Sequence, residues 1–177
     1  MININEASDA EIPVIEDILL DVCNWLESIG QPMWTKAQIK WEWLSKSLIA
    51  GGENNHKPSV FKIAYLDGVP AGCMAVVDHD PVIWPDIPIG ESLFVHKLAV
   101  KRFAAGQGVA DALLTYAKKM SADAGLPVLR LDTDLNRPKL RAVYERNGFT
   151  LAGNGFCLGD SMWRFMNTIF RQNNNYS

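Results

Sequence analysis

The sequence predicts a mixed α/β fold, with about six to seven strands in one central sheet and helices on both of its faces. Segments in which apolar residues recur at helical spacing alternate with short apolar or alternating segments that are typical of strands. A chain of 177 residues, 48% hydrophobic and 21% charged, has the size and composition of one globular domain with a sizeable core. A glycine turn between residues 93–100 and the helix that follows indicates a strand-to-helix connection of the α/β type.

The N-terminus predicts a short strand followed by a long helix. In residues 2–5 isoleucine alternates with asparagine, which is typical of a strand with one buried face. Residues 12–29 carry apolar side chains at helical spacing, and Ser8 with Glu11 forms a capping box ahead of them. Gly30 then ends the helix, because glycine is favoured just past helix C-termini.

A second helix is predicted to begin after Thr35 and to run through Leu48. Thr35 and Gln38 have the spacing of a capping box, and apolar residues follow them at helical positions. Asp67 and Gly68 are a hairpin signal between the next two strands. The remaining segments of this half are a loop, the two strands and an irregular loop with three prolines: 51–57, 59–66, 71–78 and 80–90.

The second half predicts a regular alternation of strands and helices. Its clearest helix follows the strand at 93–100, opens near Gly108, carries one apolar stripe and ends at Gly125. The other elements are a buried strand, a short helix with proline in its first turn, and a closing pair of strands: 128–132, 138–147, 149–152 and 162–170.

Composition excludes several classes of protein. The net charge of -3 gives no basic footprint, which argues against nucleic acid as a partner. No apolar run approaches the roughly 20 residues that a membrane span needs, and the N-terminus lacks a signal-peptide pattern. The three widely spaced cysteines, Cys23, Cys73 and Cys157, form no metal-ligand motif and predict reduced thiols in the cytoplasm. We therefore expect no membrane association and no metal, and the oligomeric state stays open to a homodimer.

The turn between the strand at 93–100 and its helix predicts an anion site. The first backbone N–H groups of a helix have no internal partner, and the helix dipole adds partial positive charge there. Glycine allows a phosphate to approach the main chain closely. The residues that would form this cradle are Ala105, Gly106, Gln107, Gly108, Val109 and Ala110. A phosphate-bearing ligand is expected, although a tight connection that binds nothing is the alternative.

Two motifs resemble the GNAT superfamily of N-acetyltransferases. The family's phosphate turn, Q/R-x-x-G-x-G/A, falls on residues 103–108, where Gly106 and Gly108 match. Phe103 replaces the usual Gln or Arg and Ala105 replaces a frequent arginine, which removes two side-chain contacts but leaves the backbone cradle. Lys101 or Arg102 would supply local positive charge. The second signature, an aromatic–Glu–x–x–Gly–Phe helix end, is intact: Tyr144, Glu145, Gly148 and Phe149.

The resemblance implies a single N-acetyltransferase domain over residues 1–177. Residues 1–92 would form the acceptor side, 93–170 the cofactor-binding side and 172–177 a tail. The enzyme would move the acetyl group of acetyl-CoA to a primary amine of a small molecule or peptide by direct attack. The turn would bind the pyrophosphate, and main-chain groups of neighbouring strand residues would pair with the pantetheine arm. The further cofactor-binding residues are Leu98, Ala99, Val100, Asn136 and Tyr144.

Two residues are candidates for proton transfer. Tyr144 would stabilise the departing thiolate; its alternative is a core tyrosine that packs on Leu140. Glu91, just before the strand at 93–100, would act as the base for the amine, or be a solvated loop residue. His96 is more readily explained as a core histidine. Asp132 ends a strand and either faces the cofactor cleft or caps the strand.

The acceptor would be held by the segments with the least family pattern. These are the two N-terminal helices and the loop at 80–90, which carry aromatic rings that could line a pocket for an apolar or cationic group. Most of these rings are also good core residues. They are Trp25, Trp34, Trp41, Trp43 and Trp84.

Two rival functions remain open at the level of sequence. A dinucleotide-binding oxidoreductase is suggested by the strand, glycine turn and helix, with Asp132 placed as a ribose-binding acid. Against it, Asp111 stands where the third glycine of that fingerprint belongs. The other rival is a non-catalytic acyl-CoA sensor, which the departures at Phe103 and Ala105 would allow.

Overall fold

The computed structural model describes residues 1–47, 58–157 and 160–168. In these residues the chain forms a seven-stranded mixed sheet with helices, as the sequence predicts. The strands are β1 (Ile2–Glu6), β2 (Phe61–Leu66), β3 (Val69–Val77), β4 (Ser92–Val100), β5 (Val128–Asp134), β6 (Thr150–Cys157) and β7 (Asp160–Thr168). The helices are α1 (Ile12–Ser28), α2 (Trp41–Ser47), α3 (Val109–Asp123) and α4 (Pro138–Arg146).

The sheet has the order β1-β2-β3-β4-β5-β7-β6, and its central pair, β4 with β5, is parallel. That pairing runs from Ser92 opposite Val128 to Val95 opposite Leu131. Past this point β4 bulges, because two residues between His96 and Ala99 face one residue of β3. Lys97 adopts a positive φ of 53° in the bulge. A bulge bends its strand, so β4 turns away from β5 where their ladder ends.

The helices cover both faces of the sheet, which confirms the predicted layering. Alternate residues of each strand point to opposite faces, so each face builds its own cluster. On one face, α1 and α2 pack on Phe61, Ile63 and Phe94. On the other, α3 and α4 pack on Met74 and Val95.

The prediction that α2 begins after Thr35 is wrong. The capping box does form, because the Thr35 N–H donates to Gln38 Oε1 at 2.8 Å, yet residues 35–40 make only turns. The α-helix starts at Trp41, whose N–H donates to Glu16 of α1 at 2.7 Å. Lys40 contacts the other oxygen of the same carboxylate at 2.8 Å. This capping contact comes from a distant residue, so local spacing could not place the start of the helix.

Several predicted features fall on residues that the structure does not describe. The loop at 51–57, the end of α2 at Leu48 and the tail at 172–177 lie outside the described residues, as does the Cys157 side chain. Cys23 and Cys73 are free and buried. Within the described part of the chain, no helix is both long enough and apolar enough to cross a membrane.

Candidate active site

A cleft of about 590 Å³ opens beside the outward-turning half of β4. Its walls are β4, the turn into α3, one side of α4 along its length, and the end of α1 with the segment that follows it. The structure brings most of the predicted cofactor-binding residues to this cleft: Leu98, Ala99, Val100, Ala105, Gly106, Gly108, Val109 and Ala110. Gln107, Asn136 and Tyr144 are not among the residues that line it.

The turn into α3 has the geometry of an open anion cradle. Gly106 and Gly108 have positive φ angles of 77° and 80°, and a Cβ added at either position would meet no atom within 4 Å. The first intrahelical bond runs from the Ala112 N–H to the Gly108 carbonyl at 2.9 Å. The N–H groups of the preceding helical residues therefore lie ahead of the ladder. The side chain of Gln107 is exposed and donates back to the Phe103 carbonyl at 2.8 Å.

Basic residues outnumber acidic ones around the cleft. Its lining includes Asp111 and four cationic residues, which are Arg102, Arg137, Lys139 and Arg146. Arg146 makes two 3.0 Å contacts with the Asp111 carboxylate, so that pair is neutral and the remaining cations are in excess. The sequence pointed to Arg102 but not to the cations of α4, because they join the cleft only through tertiary packing.

Arg137 ties the start of α4 to the segment after α1. Its guanidinium donates to the Gln31 carbonyl and to the Pro32 carbonyl, both at 2.9 Å. The residue is only 8% exposed. Because these contacts fix two consecutive carbonyls, Arg137 holds the next residues, including Trp34, against the cleft.

Tyr144 lies on α4 in an aromatic cluster. Its ring contacts Phe165 edge-on at 5.6 Å between centroids and Phe149 at 6.2 Å, and the residue is 4% exposed. Burial, and then the charge of Asp132, raise the pKa of the Tyr144 hydroxyl well above its usual value. The phenol is therefore neutral at working pH and can donate a hydrogen bond but not act as a strong acid.

Glu91 is not brought to the cleft. It is exposed and immediately precedes β4, at the end opposite the bulge. Along an extended strand it is roughly 20 Å from Leu98, given about 3.3 Å per residue. Its charge acts on Arg130 instead. The base role for Glu91 stays a prediction that its position does not favour.

A compact polar cluster lies where β4 and β5 part. His96 Nε2 is 3.4 Å from Asp80 Oδ2, and His96 Nδ1 is 3.8 Å from Asp132 Oδ1. His96 and Asp132 are the first residues beyond the last parallel pair of the two strands. Burial raises the pKa of Asp132 to about 6, with the nearby His96 opposing this shift and the charge of Asp80 adding to it. The sequence considered His96 and Asp132 separately and gave Asp80 no role beyond its place in the proline loop, and only the fold places the three together.

Replacing Asp132 with asparagine should change how stability depends on pH. The raised pKa means that the folded protein binds the proton of the Asp132 carboxyl group more tightly than the unfolded chain does. The protonated carboxyl therefore contributes fully to the free energy of unfolding at low pH, and this contribution is lost as pH rises through about 6. The shift from 3.8 to about 6 corresponds to about 3 kcal/mol. Between about pH 4 and about pH 8, the free energy of unfolding of wild type should fall by about 3 kcal/mol relative to that of Asp132→Asn. Urea unfolding at each pH measures this difference. The same substitution at exposed Asp9 serves as the control. An equal fall relative to both variants would contradict the environment described for Asp132.

The sheet with its parting central strands, the helix N-terminus and the adjoining cleft define the class of acyl-CoA N-acyltransferases. The chain belongs to the acetyltransferase (GNAT) family, whose model matches residues 20–149. It is 27% identical over 139 residues to a protein of Bacillus subtilis (strain 168) named uncharacterized N-acetyltransferase YesJ, covering 78% of this chain and 76% of that one.

Solved structures share the whole fold. A GNAT-family acetyltransferase from Listeria monocytogenes 4b F2365 superposes with a TM-score of 0.72 at 19% identity, covering 94% of each chain. The PaiA N-acetyltransferase from Thermoplasma acidophilum, solved in complex with coenzyme A, gives a TM-score of 0.67 at 14% identity. That match covers 95% of this chain and 99% of the other. The protein is thus an acetyltransferase by family, and it shares the fold of these solved acetyltransferases.

Proposed function

We propose that the enzyme takes the acetyl group of acetyl-CoA and passes it by direct attack to a primary amine of a small molecule or peptide. The observation that carries this proposal is the parting of β4 from β5 beside a cleft with an open glycine cradle at its end. Membership of the family establishes that the enzyme is an acyltransferase. The acetyl group and the amine acceptor are part of the proposal.

The cradle at 105–110 would bind the pyrophosphate through backbone N–H groups, as anions bind at helix N-termini. The excess of cations around the cleft supports a ligand with several phosphate charges. Gln107 would act through its main chain, because its side chain already bonds to Phe103. A place for Asn136 at this site stays a prediction; its N–H bonds to Asp134 Oδ1 at 2.9 Å.

The pantetheine arm would lie along the free half of β4. The ladder with β5 ends at Val95, so main-chain groups of Leu98, Ala99 and Val100 are available on that side. An extended ligand can then pair with them as an added strand. One of these N–H groups would also stabilise the negative charge on the acetyl oxygen. PaiA, which has the same fold, was solved in complex with coenzyme A, and this supports coenzyme A as the ligand of the proposed site.

The acceptor would enter from the side formed by residues 1–92. Met33 and Trp34 already line the cleft from this part of the chain.

The two rival functions are not favoured. A dinucleotide-binding site would need a glycine where Asp111 stands, and the Asp111 carboxylate is bound by Arg146 at the start of the helix. The sensor reading has no support from the family, which is one of acetyltransferases.

The proposal also includes a cytoplasmic location for the protein. The two buried, unpaired cysteines, Cys23 and Cys73, support a reducing cytoplasmic environment. Burial raises the pKa of the Cys73 thiol, which keeps it in its unreactive form.

Release of free thiol from acetyl-CoA tests the function. Purified enzyme is incubated with acetyl-CoA and a panel of alkylamines, diamines and peptides with free N-termini, and thiol is measured over time. We expect release that depends on both the enzyme and the amine. Calorimetry should show that coenzyme A binds and that NAD does not compete with it. Competition by NAD, with no thiol release, would favour the dinucleotide reading instead.

A further inference from the structure

A histidine lies between two buried carboxylates on the acceptor side of the sheet. We propose that His96, oriented by Asp80 and Asp132, is the base that takes the proton from a cationic alkylamine acceptor. This inference rests on the proposed function and names both a proton acceptor and the class of amine. Each ring nitrogen of His96 faces a carboxylate oxygen, at 3.4 Å and at 3.8 Å.

Asp80 is a positioning residue built into the loop between β3 and β4. Its Oδ1 accepts the N–H groups of Val82 and Ile83 at 3.0 Å and 2.9 Å, so one oxygen holds the loop. Its Oδ2 is buried and has no hydrogen-bond partner among the described residues. That oxygen faces His96 Nε2. A buried carboxylate oxygen without a partner is costly, and a proton on the imidazole would relieve this cost.

Asp132 completes the arrangement from β5. The gap between Asp132 Oδ1 and His96 Nδ1 is 3.8 Å, which is longer than a direct hydrogen bond of 2.7–3.2 Å. The Asp132 and His96 side chains are 11% and 19% exposed, whereas Asp80 is 6% exposed. His96 is thus the most exposed of the three side chains, and in this proposal an ammonium group or a water molecule would reach it at Nδ1, which makes no direct hydrogen bond to Asp132.

The cluster is close to the proposed acyl site. His96 precedes Leu98, a lining residue of the cleft, by two positions, or about 7 Å of extended chain. Among the described residues, the charged and titratable groups around His96 are Asp80 from the loop, Asp132 from β5, Lys97, whose charge lowers the pKa of Asp132, and Tyr144, whose pKa the charge of Asp132 raises.

The charges of the cluster favour a cation. The ammonium group of Lys97 lies over the ring of Trp34 at 4.6 Å and over that of Trp43 at 5.2 Å. Lys97 is thus engaged with aromatic rings, while two carboxylates flank the imidazole. Opposite charge attracts an ammonium group to this place, and the imidazole then has a proton to accept.

The proposed reaction begins with a neutral His96 and an acceptor in its ammonium form. The ring takes one proton from the ammonium group, and the freed nitrogen lone pair forms the C–N bond to the acetyl carbon. The C–S bond breaks, and its electron pair stays on sulfur. The nitrogen loses its second proton as the sulfur gains one, which yields an amide and a thiol. His96 then releases its proton to solvent.

The test compares His96→Gln with His79→Gln, which removes an imidazole next to Asp80 in the same loop but leaves His96, Asp80 and Asp132 in place. With the alkylamine that wild type uses best, His96→Gln should release thiol about a hundredfold more slowly, the lower range for a general base. His79→Gln should stay within about twofold. The His96→Gln deficit should shrink as pH rises, because the neutral fraction of the amine grows about tenfold per pH unit. An aromatic amine, already neutral at assay pH, should show little deficit.

The outcomes separate this inference from the proposed function. Coenzyme A affinity by calorimetry should be the same in all three proteins, which would exclude misfolding. If wild type releases no thiol with any amine, both the transfer function and the base role fail. If His96→Gln matches wild type with alkylamines, or is equally slow with every amine at every pH, only the base role is overturned. Activity that a chelator abolishes and a divalent metal restores would also overturn it, since the cluster would then be a metal site.

Discussion

Gly108→Asp should abolish the binding of acetyl-CoA in a protein that still folds. The variant places a carboxylate in the space where the phosphates would lie, which is open in the structure. Two like charges about 5 Å apart repel by about 3 kcal/mol at an effective dielectric constant near 20. The dissociation constant should therefore rise by more than about a hundredfold, and calorimetry measures it directly.

A matched control separates charge in the cradle from backbone strain. Gly68 has a φ of 82°, close to the 80° of Gly108, and it also faces open space. It lies in the turn between β2 and β3, away from the cleft. Gly68→Asp should bear the same strain and leave coenzyme A affinity unchanged, while the uncharged Gly108→Asn should bind with intermediate affinity. A folded Gly108→Asp with wild-type affinity would show that the cradle binds no phosphate.

Tyr144→Phe should lower turnover by on the order of a hundredfold, with coenzyme A affinity nearly preserved. The substitution keeps the ring contacts with Phe149 and Phe165 and removes only the hydroxyl. Because the pKa of this buried hydroxyl is raised, it is expected to stabilise the thiolate by a hydrogen bond. The rate should show no loss from ionisation of Tyr144 at alkaline pH.

Tyr116→Phe provides the control, since Tyr116 packs on the same hydrophobic cluster from α3. Steady-state rates of thiol release and thermal unfolding should be measured for both variants. Both should unfold near the wild-type temperature, and only Tyr144→Phe should be slow. Because Tyr144 does not line the cleft, unaltered turnover in Tyr144→Phe would assign it to packing alone.

Local patterns predicted most of the fold. Each strand and helix was expected from its own periodicity, and the turn at 105–110 was expected as an anion site because its glycines and its helix are neighbours in sequence. The start of α2 was missed, because Glu16 of α1 sets it through a tertiary contact with Trp41. The residues next to Trp41 in sequence do not indicate this tertiary contact.

The polar part of the site was harder to predict. Asp80, His96 and Asp132 are far apart in sequence and meet only because β4 and β5 part at the same level. Trp84 was expected near the acceptor, but it is 1% exposed and its ring contacts the guanidinium groups of Arg130 and Arg164, at 4.8 Å and 4.0 Å from the ring centroid. An aromatic residue in a proline-rich loop looks the same in sequence whether it lines a pocket or fills a core.

The mass of the acceptor after reaction shows whether the acetyl group reaches the amine. The enzyme is incubated with isotope-labelled acetyl-CoA and the alkylamine that releases thiol fastest, and the product is analysed by mass spectrometry. The amine should gain one labelled acetyl group for each thiol released, and Gly108→Asp should give neither product. Thiol release with an unmodified amine, or acetylation that Gly108→Asp leaves intact, would contradict the proposed transfer.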